Sequence, residues 1–222
     1  MKKLFIITFI LTLSYFSNAQ QNYSGTYGYT LSLDAGQIPK EITSVPGGVL
    51  VLLKMEGNQY RFWLDVLNGP PGFNRGESDG SITFINDTAS FDNTHEGAEN
   101  PCILKFKKTG NTITINSEST SFNCGFGNGV NADGEYSWKK KQELLNNDWL
   151  KKQYPQAAMV TVQNDAELFK DENATQSFKP KKYVTKSMSI LNIAETIDVV
   201  YTEYIDMKGN FIYGWIKKSY LE

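Results

Sequence analysis

This 222-residue chain contains one histidine and two cysteines, and beyond its N-terminus it has no apolar run near the roughly 20 residues a spanning helix needs. The lone histidine, His95 in NTHEGAEN, leaves too few ligands for the clustered sets that hold zinc, and no GxSxG or comparable nucleophile setting occurs. Glu96 and Glu99 lie beside it without a second histidine, so His95 reads as an exposed loop residue. Cationic excess is missing as well. Setting aside Lys2 and Lys3 leaves 20 basic against 24 acidic residues, a net charge of −4. Nucleic acid is thereby excluded as a partner, because its readers present a basic face, and docking to an anionic membrane is disfavoured. A glycosidase needs two carboxylates across a cleft. Asp92, Glu96 and Glu99 fall on one loop, and Glu56, Asp65 and Glu77 are scattered. No catalytic set, metal or cofactor is expected, and the chain reads as a non-enzyme.

The first residues, MKKLFIITFILTLSYFSNAQQ, combine a basic start, an apolar stretch from Leu4 to Phe16 and small residues at Ser17-Asn18-Ala19. That is the pattern of a secretory signal peptide over residues 1–19, which predicts export to the periplasm or the extracellular space without a membrane anchor. In an oxidising compartment the even pair Cys102 and Cys124 predicts one disulfide, with two buried thiols as the alternative. Closing that loop would stabilise the fold by about 3 kcal/mol in the chain-entropy model.

From Tyr23 to Trp138 short strand patterns alternate with turn chemistry. VLVLLKM is a continuous apolar run, and Tyr60, Phe62, Leu64 and Val66 alternate with Arg61 and Asp65. NGPPGFNRG (68–76) reads as an exposed loop, followed by strands SITFI, TASFD, CILKFKK and NTITINSE. The spacing predicts an antiparallel barrel or sandwich over residues 20–140. KKKQELLNNDWLKKQYP lacks glycine and ends in proline, which predicts a linker or short helix over 141–154. With few apolar residues to anchor it, that segment is expected to be open to protease. Strand patterns then return in residues 155–222, with Lys208-Gly209-Asn210 as a hairpin turn. The fold class expected is all-β, a barrel or sandwich followed by a small barrel.

The glycine-rich stretch CGFGNGVNADGEYSW (124–138) has no helix after it to receive a phosphate, and Lys140 stands where a calcium loop needs its closing acid. It reads as a cysteine-anchored turn, with Asp133-Gly134 leading into a strand. Gly134-Glu135-Tyr136 and Trp138, followed by a basic run, resemble the end of the small lipocalin-like barrel of bacterial inhibitors of c-type lysozyme. That resemblance implies an exported inhibitor whose loops plug an enzyme cleft. Cys124 replaces the motif's serine and its tyrosine is missing before Ala132, so no inhibitory residue carries over. Residues 157–222 resemble bacterial SH3-type modules, through the step from Tyr183 to Ser187 and the terminal Gly214-Trp215-Ile216 with Leu221. Ser187 stands where that family has glycine. The resemblance implies an SH3-like barrel that binds cell-wall peptide, glycan or an envelope protein.

Two aromatic groups are candidate ligand surfaces. Trp63 either lines a barrel mouth with Phe73, Asn74 and Arg75 or belongs to the core. In the second half, Tyr201, Tyr204, Tyr213 and Trp215 form a dense set. Tyr201 and Tyr204, three apart on one strand, point to opposite faces, so at most one is core. The expectation is that Tyr204 stands beside Trp215 in a stacking groove.

Overall fold

The computed structural model describes residues 22–33, 45–94, 100–139 and 145–222. The proposed signal peptide and the His95, Glu96 and Glu99 loop lie outside them. Eight strands make the first sheet: β1 (Gly25–Thr30), β2 (Gly47–Lys54), β3 (Gln59–Leu67), β4 (Arg75–Thr83), β5 (Thr88–Asp92), β6 (Ile103–Thr109), β7 (Thr112–Ser117) and β8 (Gly134–Trp138). Their order is β4-β3-β2-β1-β8-β7-β6-β5, all antiparallel, in a nearly closed barrel-like sheet. The alternation of β3 works as its sequence implies. Tyr60, Phe62, Leu64 and Val66 fill the interior beside Leu104, Phe106 and Ile115.

Two strands depart from their sequence pattern for identifiable reasons. β4 begins at Arg75, inside the stretch read as loop, although RGESDG carries no apolar residue. Within that stretch the buried positions are Gly76 and Gly80, ahead of Ile82, and each makes room for an aromatic ring. A Cβ on Gly76 would meet Phe126 at 2.6 Å, and one on Gly80 would meet Phe91 at 2.4 Å. β2 is apolar throughout because both its faces are covered. Leu50 and Leu52 point into the barrel, while Val51 and Leu53 join a second core outside it.

Cys102 and Cys124 form a disulfide with Cα atoms 4.5 Å apart, tying the start of β6 to a 3-10 turn at Ser121–Cys124. Cys124 therefore sits on a turn. Gly125 and Gly129 beyond it both adopt φ of +73°, where a side chain would be strained. The loop is fastened to its neighbour: Asn74 Nδ2 donates to Asn128 O at 2.7 Å, and Asn68 Nδ2 donates to Gly129 O at 2.9 Å.

The second half contains helix α1 (Asn147–Gln153) and strands β9 (Ala158–Thr161), β10 (Ala166–Phe169), β11 (Ser177–Val184), β12 (Ser189–Asn192), β13 (Ala194–Glu195), β14 (Val199–Ile205) and β15 (Phe211–Lys217). They form a five-stranded sheet, β11-β10-β15-β14-β13, and a two-stranded sheet, β12-β9. The whole described chain is all-β apart from α1 and short 3-10 turns. The β14–β15 hairpin turns at Lys208-Gly209-Asn210, where the Asp206 carboxylate accepts from the backbone N–H of Lys208 and of Asn210, both at 2.8 Å.

Of the segment 141–154 expected to be open, residues 141–144 lie outside the described residues, and helix α1 in the remainder is anchored. Asn146 caps it by accepting from Trp149 N at 2.9 Å. Leu150 is fully buried in the second core, which also contains Val51, Leu53 and Trp63 of the barrel. The two halves share this core, with α1 wedged between them.

Buried tyrosines run through both cores and set a limit at high pH. Burial pushes Tyr27, Tyr204 and Tyr213 up from the usual 10 to about 12, and raises Tyr136 further. A pKa raised on folding contributes stability that is complete below pH 10 and is lost as pH climbs through the folded values. Cooperative unfolding between pH 10 and about 12, coincident with phenolate formation, is expected in an absorbance and circular dichroism titration. Phenols titrating near 10 with the β signal intact would contradict it.

Candidate functional site: a cleft between barrel and helix

Outward positions on β3 and β4 meet the helix. Arg61, Trp63 and Asp65 point away from the barrel interior, across from Ser81, Asp79 and Glu77 on β4. Trp149, Lys152 and Gln153 of α1 and Trp63, Asp65, Glu77 and Asp79 of the sheet line a cleft of about 770 Å³, which Arg61 and Ser81 do not border. Its floor is apolar, from Val49, Val51 and the two tryptophans.

Trp63 settles the competition between rim and core in an unexpected way. Phe62 is the inward residue and Trp63 the outward one, yet Trp63 is only 6% exposed because the second half covers it. Its ring meets Trp149 edge-on at 5.2 Å and Phe211 at 5.9 Å. Trp63 therefore belongs to the shared core and borders the cleft at the same time.

The barrel bank of the cleft is charged. Arg75 grips Asp65 with two parallel bonds, Nε to Oδ1 at 2.8 Å and an Nη to Oδ2 at 2.6 Å, and reaches Glu77 at 3.1 Å. That bidentate contact holds the Arg75 guanidinium firmly protonated. Beneath the bank lies a buried polar network. Arg61 pairs with Asp79 on the cleft side and with Glu203 of β14 at 3.2 Å on the other. Tyr154 OH accepts from Arg61 at 2.7 Å and donates to Glu203 at 2.6 Å, and Tyr201 OH donates to Glu203 at 3.1 Å. Glu203 is completely buried. Burial raises its pKa, and the Arg61 charge and the two phenol donors oppose that rise.

The remaining sequence candidates divide. Tyr201 and Trp215 are cross-strand partners with rings 5.4 Å apart, both half-buried, and Phe169 lies next along the same row. Tyr204 is not with them. It is 6% exposed on the opposite face, in the second core, and its OH points to Tyr183 O at 3.4 Å. Tyr201 and Tyr204 do point to opposite faces, but Tyr204 is core and it is Tyr201 that flanks Trp215. The apolar company of Tyr204 decides this, since Val200 and Ile216 share its core. Phe73, at φ +48°, does not line the cleft that Trp63 and Arg75 share. Among the described residues no group of three or more His, Cys, Asp or Glu is arranged to hold a metal.

Sequence reasoning missed Arg61, Asp79, Trp149, Lys152 and Glu203. Two of them carried a signal: a lone arginine between Tyr60 and Phe62, and a lone glutamate inside VVYTEYI. A single charge within an apolar strand calls for a partner.

No protein-family model, curated protein or solved structure matches this chain. Fold and site together define an all-β chain with a barrel, a second β unit docked on its flank and an aromatic-floored cleft at the junction. Among the described residues no helix is long and apolar enough to cross a membrane.

Proposed function

We propose that this chain is an exported, non-enzymatic binding protein of the bacterial cell envelope that engages cell-wall material or an envelope protein through the junction cleft. The observation that carries this reading is the cleft itself, with two tryptophan rings as its floor and charged side chains as its banks. Concave sites of this volume with apolar floors and a few polar groups are where ligands bind. The SH3-type resemblance of residues 157–222 supports the same reading, as does the half-buried Tyr201–Trp215 pair.

The test is co-sedimentation of residues 20–222 with purified peptidoglycan. The expected result is retention that Trp149→Ala weakens by roughly fivefold, the equivalent of about 1 kcal/mol of ring contact. A thermal melt of the variant accompanies the assay. Failure to sediment would remove wall material as the ligand, and inhibition of lysozyme by the same preparation would favour the inhibitor reading instead.

A further inference from the structure

The two banks of the cleft differ in sign. On the barrel side Asp65, Glu77 and Asp79 line the wall with one guanidinium, that of Arg75, among them. Arg61 also reaches Asp79, but Glu203 holds its other side. Arg75 gives its paired bonds to Asp65, so Glu77, with its side chain 65% exposed, has a single shared contact. The barrel bank is therefore net negative, with Glu77 its most available carboxylate. The helix bank is positive. Lys152 lines it, is exposed, and has no hydrogen-bond or ion-pair partner among the described residues. Between the banks the floor is Val49, Val51, Trp63 and Trp149.

An acid bank, a basic bank and a hydrophobic floor between them match one class of ligand. We infer that the cleft binds a short zwitterionic peptide, its ammonium against Glu77 and Asp79 and its carboxylate at Lys152, with its apolar middle over the two tryptophans. A neutral glycan would leave both banks without partners, and a polyanion would meet the carboxylates of the barrel side. The inference rests on the cleft being the binding site and adds the ligand's chemistry.

The experiment uses residues 20–222 and a calorimetric titration with leucine-containing peptides of two to five residues. Each is offered with free termini, as its N-acetyl form and as its C-terminal amide. At least one free peptide is expected to bind, with N-acetylation or amidation each weakening it about tenfold, the loss of one charge-assisted contact. Glu77→Gln should weaken the free and amidated peptides while leaving the acetylated one unchanged, and Lys152→Met should weaken the free and acetylated peptides while leaving the amidated one unchanged. Both side chains are exposed, so the folded structure should survive either change. No binding by any peptide at millimolar concentration, or equal binding by all three end-forms, overturns the inference. Sedimentation with peptidoglycan, run on the same sample, separates the cases: wall retention without end-group discrimination sinks the zwitterion and leaves the envelope-binding reading standing.

Discussion

Arg61→Met is expected to destabilise the protein by about 3–5 kcal/mol, because it strands the carboxylate of Glu203 in the shared core with only two phenol donors. For a chain of this size that corresponds to a fall in Tm of roughly 10 °C. The guanidinium side chain is itself 15% exposed, so little of the effect is lost to solvent screening. The discriminating variant is Arg61→Met with Glu203→Gln. It removes both charges, keeps an amide oxygen to accept from one phenol while its NH2 donates to the oxygen of the other, and should recover more than half of the loss. Thermal and denaturant melts of the two variants decide the matter. If the double variant is no better than the single one, the network does not act as a charge pair.

Trp63→Ala should have a comparable effect of about 3–5 kcal/mol, the range for emptying a large aromatic from a core. The side chain meets Trp149, Tyr154 and Phe211 at once, so its removal empties a contact between β3, α1 and β15. A second readout distinguishes this from general loosening. Lys151 and Lys152 lie on α1, held in place through Leu150 and Trp149. Trypsin should cut there sparingly in the parent protein and readily in the variant, before the barrel is digested. A variant that melts earlier with no preferred cut at α1 would show that the tryptophan supports the barrel and not the junction.

Much of the fold was legible because β6 and β7 alternate cleanly, as β3 does apart from Trp63, and an alternating strand with one buried face has only one way to lie. β4 was harder to read. The buried positions of its first six residues are glycines, whose vacancy is filled by rings from Phe126 and Phe91, and a pattern of absences does not register as hydrophobic periodicity. β2 carried its message in plain view: an unbroken apolar strand in an antiparallel sheet means cover on both sides. The site was less accessible. Trp63 and Arg75 could be singled out, but their partners Trp149 and Lys152 lie in a segment whose polar composition resembles a tether. Arg61 and Glu203 were each conspicuous as lone charges in apolar strands, yet nothing local pairs residues so distant in sequence. Tyr204 and Tyr201 were separated correctly by parity and assigned to the wrong sides, because parity gives two faces without naming which is wet.

The doubly covered β2 also bears on how the molecule is made. A chain emerging N-terminus first completes the barrel strands before residues 145–222 exist, so Val51, Leu53 and Trp63 reach solvent as a contiguous sticky stripe on an otherwise finished sheet. Until α1 and the β14–β15 hairpin arrive, that stripe is the natural place for chaperones to hold the chain and for copies to clump. A fragment stopped at residue 140 would carry the hazard permanently, whereas the intact chain brings its own cover.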